Sequence, residues 1–97
     1  MKPAAVITSA RRAGTTATMY QINKYFSISQ MPIVSSRYWN MVHGSNAEQV
    51  EEDLEGLWTM RALARNMAYL LKCQQAARAA GIELPVQEKG DITNFIR

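Results

Sequence analysis

Two short apolar segments on either side of a helical segment constrain the fold of this chain most. Residues 4–9 and residues 31–35 both contain β-branched side chains, which favour strands. Between them, residues 15–28 repeat apolar side chains every three or four positions, which is typical of a helix. Two strands joined by a helical crossover lie parallel to each other. The pattern therefore predicts a βαβ unit of an α/β domain.

The segment 46–80 predicts one long helix after the second strand. Ser45 followed by Glu48 matches a capping box, and Gly81 is a natural helix end. Acidic residues fill the first two turns and basic residues follow, which complements the helix dipole. At 1.5 Å per residue such a helix is about 50 Å long. Because that exceeds the needs of a small domain, we expect the helix to bend or to project toward a partner.

The tail, residues 82–97, ends in a polar segment that carries Ile92, Phe95 and Ile96. Those apolar side chains predict that the tail docks onto the domain. Cys73 lies within the predicted long helix, and free cysteine is among the most buried residue types. We therefore expect Cys73 to be a buried or half-buried structural thiol. As the only cysteine, it excludes an intrachain disulfide and fits a reducing compartment.

Composition places the chain among small soluble proteins. Its 97 residues make one domain, with 47% hydrophobic and 20% charged residues. The net charge is +3, but the bases are scattered instead of clustered, which argues against a nucleic-acid partner. No apolar run approaches the roughly 20 residues that span a bilayer, and the N-terminus does not resemble a signal peptide. These features predict a cytoplasmic protein without a membrane partner.

The turn after the first predicted strand is the candidate binding site. It reads SARRAGTT from Ser9 to Thr16, and ligands of open α/β sheets bind beyond the carboxyl ends of strands. Its glycine, hydroxyls and two arginines could hold an anionic or carbonyl-rich ligand at a helix N-terminus. The same residues also fit an ordinary surface turn before a helix capped by Thr15 or Thr16. The residues alone leave both interpretations open, and the motif matches no phosphate-loop consensus.

Other chemistry-bearing residues give weaker signals. His43 is the only histidine, so the sequence predicts no multi-histidine metal site. Next to Gly44, it could exchange a proton with a ligand or anchor a loop. Tyr38 and Trp39 could stack on a planar ligand, anchor an interface or fill the core. No side chain is predicted to act as a catalytic acid or base.

Four segments of the chain resemble one protein family. They are KPAAVITSARRAGTTATMYQINKYF, MPIVSSRYWNMVHG, DLEGLWTMRALARNMAYLLK and TNFIR. Together they resemble the NAD(P)H-dependent FMN reductases of the flavodoxin-like fold, including their iron-sulfur flavoprotein relatives. The resemblance implies the C-terminal βαβα portion of a flavodoxin-like three-layer α/β sandwich. In it, residues 4–8 correspond to the fourth strand of a five-stranded parallel sheet and residues 31–35 to the fifth.

The resemblance also implies a cofactor site. In this family, the loop after the fourth strand flanks the isoalloxazine ring of FMN. That role maps onto seven consecutive residues: Ser9, Ala10, Arg11, Arg12, Ala13, Gly14 and Thr15. The family's FMN phosphate loop and its second flavin loop have no counterpart in this sequence. Arg11 and Arg12 would stabilise negative charge on reduced flavin or contact the nicotinamide nucleotide.

Two functions follow from these observations. By resemblance, the chain is the C-terminal half of an FMN-dependent NAD(P)H oxidoreductase, from a truncated or split reading frame. The alternative is a non-enzymatic α/β module for interaction or oligomerisation. Because a two-stranded fragment leaves sheet edges and helix faces uncovered, we expect a homo-oligomer or a complementing chain in either case.

Overall fold

A computed structural model describes residues 1–96 of the chain. Strands β1 (Thr8–Ala10) and β2 (Met41–His43) pair in parallel, and helix α1 (Thr15–Ile28) connects them. Helices α2 (Ala47–Glu52) and α3 (Leu54–Ala79) follow β2. The chain is thus a small mixed α/β domain with two parallel strands, and α1 occupies the range that the sequence predicts.

Both predicted strands differ in their bounds from those observed. Ala4 and Ile33 form an isolated parallel bridge, and the regular ladder begins only where Thr8 lies opposite Met41. From the bridge to the ladder, the first segment advances four residues and the second advances eight. Residues 35–40 therefore leave the sheet. The predicted second strand at 31–35 therefore pairs in parallel only at Ile33, and the regular strand lies at 41–43. β-Branched residues favour a strand, whereas the partner's register decides where pairing continues.

The two long helices lie on opposite faces of the sheet. Neighbouring residues of a strand point to opposite faces. Met41 faces α1, because its sulfur accepts a hydrogen bond of 3.2 Å from the Thr15 hydroxyl. Val42 faces α3, because its Cγ1 lies 3.0 Å from where a Cβ would stand on Gly56. The sheet is therefore covered on both faces, α1 against β1 and α3 against β2.

The core between these layers is small. Its buried hydrophobic residues are Val6, Met19, Val34, Val42 and Leu63. The accessible surface is 7902 Å², whereas a compact monomer of 10.9 kDa exposes about 5,600 Å². Part of the excess belongs to the extended segment after α3. Exposed large apolar side chains, among them Ile7 before β1 and Leu71 on α3, also contribute.

The predicted helix over 46–80 is two helices. The chain breaks at Asp53, whose backbone angles are φ −76° and ψ 74°. The first helix is capped by Asn46, whose side chain accepts a hydrogen bond of 3.0 Å from the Gln49 N–H. The predicted capping box of Ser45 and Glu48 was wrong by one residue, because the Gln49 side chain bonds the Ser45 N–H.

Two predictions about the C-terminal part were also wrong. Ile92, Phe95 and Ile96 are 96%, 85% and 90% exposed, so they do not dock; Arg97 lies outside the described residues. A few apolar residues in a polar segment bury too little area to offset the entropy of ordering it. Cys73 is exposed, because it lies on a side of α3 that faces away from the sheet.

Within residues 1–96, no helix is both long and apolar enough to cross a membrane.

Candidate functional site at the carboxyl ends of the strands

The parallel register brings two loops together at one end of the sheet. Ala10 lies opposite His43, so the turn at residues 11–14 and the turn that begins at Gly44 leave the sheet side by side. The Gly44 N–H donates a hydrogen bond of 3.3 Å to the Ala10 carbonyl and continues the ladder past the last paired residues. Both turns therefore start from fixed positions, as expected for a site at strand ends.

Gly14 shapes the first of these turns. Its φ of 96° lies in the left-handed region, which favours glycine, and it is the N-cap residue of α1. No side chain caps this helix end. The predicted cap by Thr15 or Thr16 was therefore wrong. The Thr15 hydroxyl instead donates to the Met41 sulfur and fixes the start of α1 against β2. The first backbone N–H groups of α1 thus have no side-chain acceptor.

Five of the seven predicted site residues line one cavity of about 420 Å³ between β1 and the first turns of α1. Its lining residues are Ile7, Thr8, Ser9, Ala10, Ala13, Gly14, Thr15, Thr18 and Ile22. Arg11 and Arg12 do not line it, and both are exposed. Ser9 and Ala10 belong to β1 and not to the loop. Within the described part of the chain, neither arginine forms a salt bridge, so both are available to an incoming anion.

Asp53 is a structural residue of this region that sequence reasoning missed. One carboxylate oxygen accepts a hydrogen bond of 2.7 Å from the His43 N–H, and the other accepts one of 2.9 Å from the Gly56 N–H. These two backbone donors, with Gly56 the stronger cause, lower the pKa of Asp53 from its ordinary value of 3.8. The side chain thereby joins the end of β2 to the start of α3. The signal was an aspartate three residues before Gly56, which is an N-cap spacing.

His43 is positioned but only partly enclosed. Its Nδ1 lies 3.9 Å from Asp53 Oδ2, and 43% of its side chain is exposed. A small cavity of about 70 Å³ at the outer edge of β2 includes His43, Asp53 and Tyr38 in its wall. The hydrogen bond to Asp53 comes from the backbone N–H of His43, so it does not decide between the two predicted roles of the imidazole. Among residues 1–96, no three His, Cys, Asp or Glu side chains come close enough to hold a metal ion.

The aromatic segment before β2 packs on itself and on α3. The Tyr38 and Trp39 rings lie 4.9 Å apart, and both side chains are about half exposed. The Arg37 guanidinium lies 3.8 Å from the centre of the Trp58 ring and 3.3 Å from Glu55. None of these residues lines the cavity beside the Ser9–Thr15 loop. The structure therefore does not bring the predicted aromatic stacking residues to the predicted loop.

The two edges of the sheet differ in a way that bears on function. At the outer edge of β2, the Asp53 carboxylate occupies the His43 N–H. At β1, the Thr8 N–H and the Ala10 carbonyl point to β2, so alternation turns the backbone groups of Ile7 and Ser9 outward. No strand in the described part of the chain pairs with that edge.

Comparison of the chain with family models, curated proteins and solved structures found no match.

Proposed function

We propose that this chain supplies the ring-binding half of an FMN-dependent NAD(P)H oxidoreductase of the flavodoxin-like fold. The supporting observation is the cavity between β1 and the first turns of α1, which reaches the carboxyl end of β1 and is lined by five of residues 9–15. In α/β sheets, this position is where ligands bind. When bound, FMN would accept a hydride from NAD(P)H and pass the electrons to an acceptor.

The residues at this cavity fit the ring end of a flavin better than its phosphate. Uncapped N–H groups at the start of α1 suit the carbonyl and nitrogen edge of an isoalloxazine ring. Ala10, Ala13 and Gly14 leave room for a flat ring. The exposed Arg11 and Arg12 would attract the anionic reduced ring or a nicotinamide nucleotide. A phosphate loop, in contrast, has no counterpart in the sequence.

The sheet edges indicate where the rest of such a domain would attach. The outer edge of β2 is closed by Asp53, whereas the outer edge of β1 is bare and borders the cavity. The additional parallel strands of a complete domain would therefore pair with β1. This agrees with the resemblance, which makes the first segment of this chain the fourth of five strands. A complementing segment would supply those strands and the phosphate loop.

The first test compares FMN with riboflavin, which lacks the phosphate. Because the chain contributes only ring contacts, we expect the fluorescence of both flavins to be quenched on binding. Their dissociation constants should lie within about threefold of each other. Thr18→Trp fills the cavity and should abolish this binding, whereas Ala17→Trp, on the same turn outside the cavity, should not. No quenching by either flavin, or FMN binding more than tenfold tighter than riboflavin, would contradict the proposed ring orientation.

A second test addresses the arginines. Replacing both Arg11 and Arg12 by alanine should weaken the binding of the reduced flavin by about tenfold relative to that of the oxidised flavin. This change lowers the two-electron reduction potential of the bound flavin by about 30 mV. Spectroscopic titration of the bound flavin measures this shift. The control replaces two exposed arginines of α3, Arg61 and Arg65, and keeps the same net charge. An equal shift in both double variants would show that only net charge matters.

A second candidate function is self-association, and a separate observation favours it. A strip of apolar side chains on α3 continues the bare edge of β1, and together they line a cavity of about 280 Å³. Exposed sheet edges and contiguous apolar patches mark interaction surfaces. This second function does not require a flavin.

A further inference from the structure

One side of α3 carries a regular apolar seam. Its members follow each other at spacings of three, four, three and four residues: Leu57, Met60, Ala64, Met67 and Leu71. Alternating spacings of three and four are those of the a and d positions in a coiled coil. None of the five is buried, and Ala64 and Leu71 are exposed. The seam is therefore built to pack against another helix, and no helix of the described chain covers it.

The seam is continuous with the bare edge of β1. Met60, Ala64 and Met67 share one cavity wall with Ala5 and Ile7. Ile7 is 57% exposed although it faces the α3 side of the sheet. An occupant of this surface must therefore offer a strand to β1 and an apolar helix to α3 at the same time. A second copy of this chain offers both.

We propose that the chain forms a two-fold symmetric homodimer through β1 and the α3 seam. A two-fold axis perpendicular to the sheet pairs β1 with β1 of the second copy in antiparallel orientation. The same axis leaves both α3 helices on one face, where they cross antiparallel near Ala64. The contact is isologous, so both uncovered surfaces are closed at once. This inference rests on the second proposed function, and it uses the same edge of β1 to which the first proposed function attaches a complementing segment.

The charge distribution along α2 and α3 complements this antiparallel arrangement. Five acidic residues lie in the range 48–55, and from residue 56 to residue 82 the charged residues are all basic. In an antiparallel pair that crosses at Ala64, the acidic end of each copy lies toward the basic half of the other α3, whereas Glu55 itself faces away from the seam and pairs with Arg37. A parallel arrangement would instead place like charges together. Opposite charges across an interface fix orientation and register.

The exposed area is sufficient for such an interface. The accessible surface exceeds that of a compact monomer of this mass by about 2,300 Å². A stable interface takes about 800 Å² from each partner. The extended C-terminal segment accounts for part of this excess.

Light scattering of the purified chain at micromolar concentration tests the dimer. We expect a mass twice 10.9 kDa. Ala64→Glu puts a charge on the axis and should raise the dissociation constant at least about a hundredfold. Ala76→Glu makes the same change on an exposed side of α3 away from the seam and should leave the dimer intact. A monomeric wild-type chain, or an Ala64→Glu chain that remains a dimer, would overturn the proposal.

Cysteine cross-linking tests the orientation without disturbing the seam charge. In a Cys73→Ser background, chains with Leu57→Cys should form disulfides with chains that carry Leu71→Cys. Neither variant should cross-link with itself. Self-cross-linking of Leu57→Cys would mean parallel helices and would overturn the proposal. A flavin titration of the same dimer keeps the two functions apart, because a dimer that binds no flavin contradicts only the first.

Discussion

Gly56→Ala should lower the free energy of unfolding by about 2–3 kcal/mol. A Cβ at this position would stand 3.0 Å from Val42 Cγ1 and 2.7 Å from the carboxyl carbon of Asp53. Both neighbours are held in place, Val42 by the sheet ladder and Asp53 by its two hydrogen bonds. Either α3 must move away from β2 or the Asp53 bonds must break. Urea denaturation followed by circular dichroism measures the loss.

The sign of this effect makes the test informative. In an unconstrained helix, replacing glycine by alanine stabilises by about 1 kcal/mol. Gly90 has no atom within 4 Å of its would-be Cβ, so Gly90→Ala is the control and should be nearly neutral. Both variants must be compared at one protein concentration, since self-association adds to apparent stability. A Gly56→Ala chain as stable as the original would show that α3 does not pack this closely on β2.

Asp53→Ala should cost about 2–3 kcal/mol, because one side chain serves two backbone donors. Loss of the N-cap of α3 costs about 1 kcal/mol. The His43 N–H also loses its acceptor at the strand edge, and an unsatisfied donor of this kind costs about 1–3 kcal/mol when it is shielded from water. Glu52→Ala, an exposed substitution at the end of α2, is the matched control. Equal stability of the two variants would contradict the role assigned to Asp53.

The pH dependence of the Asp53 contribution has a definite sign. The two backbone N–H groups lower the pKa of Asp53 in the folded chain from 3.8. The stability that the carboxylate provides is therefore fully present above about pH 5, and it is lost as the pH falls through the lowered pKa. Asp53→Asn keeps an acceptor without a titrating charge. The stability difference between the original chain and Asp53→Asn should stay constant above pH 5 and shrink below pH 4.

Local periodicity was enough to predict α1. Its apolar residues recur at helical spacing within one continuous segment, and Gly14 marks its start because only a small residue suits a φ of 96°. Both signals are carried by the segment itself. The parallel arrangement of the strands was likewise predictable, because parallel neighbours require a crossover of a dozen or more residues and α1 supplies one.

The break between α2 and α3 could not be predicted from periodicity. Acidic residues and apolar spacing continue through residue 53 as if the helix were unbroken. The break exists because the Asp53 side chain bonds His43, which lies ten residues earlier on a strand. That contact depends on where β2 ends, and the prediction had placed the second strand at 31–35.

The candidate site was predictable in part. The small residues that line the cavity follow directly from the strand-to-helix turn, whereas the outward position of Arg11 and Arg12 depends on the path of the loop. Similarly, Ile92, Phe95 and Ile96 are apolar in sequence, but docking requires a surface within their reach.

The sequence by itself determined the order strand, helix, strand, helix, the parallel topology and the position of the loop at a strand end. These properties depend on side-chain spacing and on chain connectivity. Tertiary structure alone decided that β2 lies at 41–43, that Asp53 closes its outer edge, and that β1 and the α3 seam stay bare. Those features depend on which distant groups meet, since a backbone N–H is satisfied by whatever acceptor the fold brings to it.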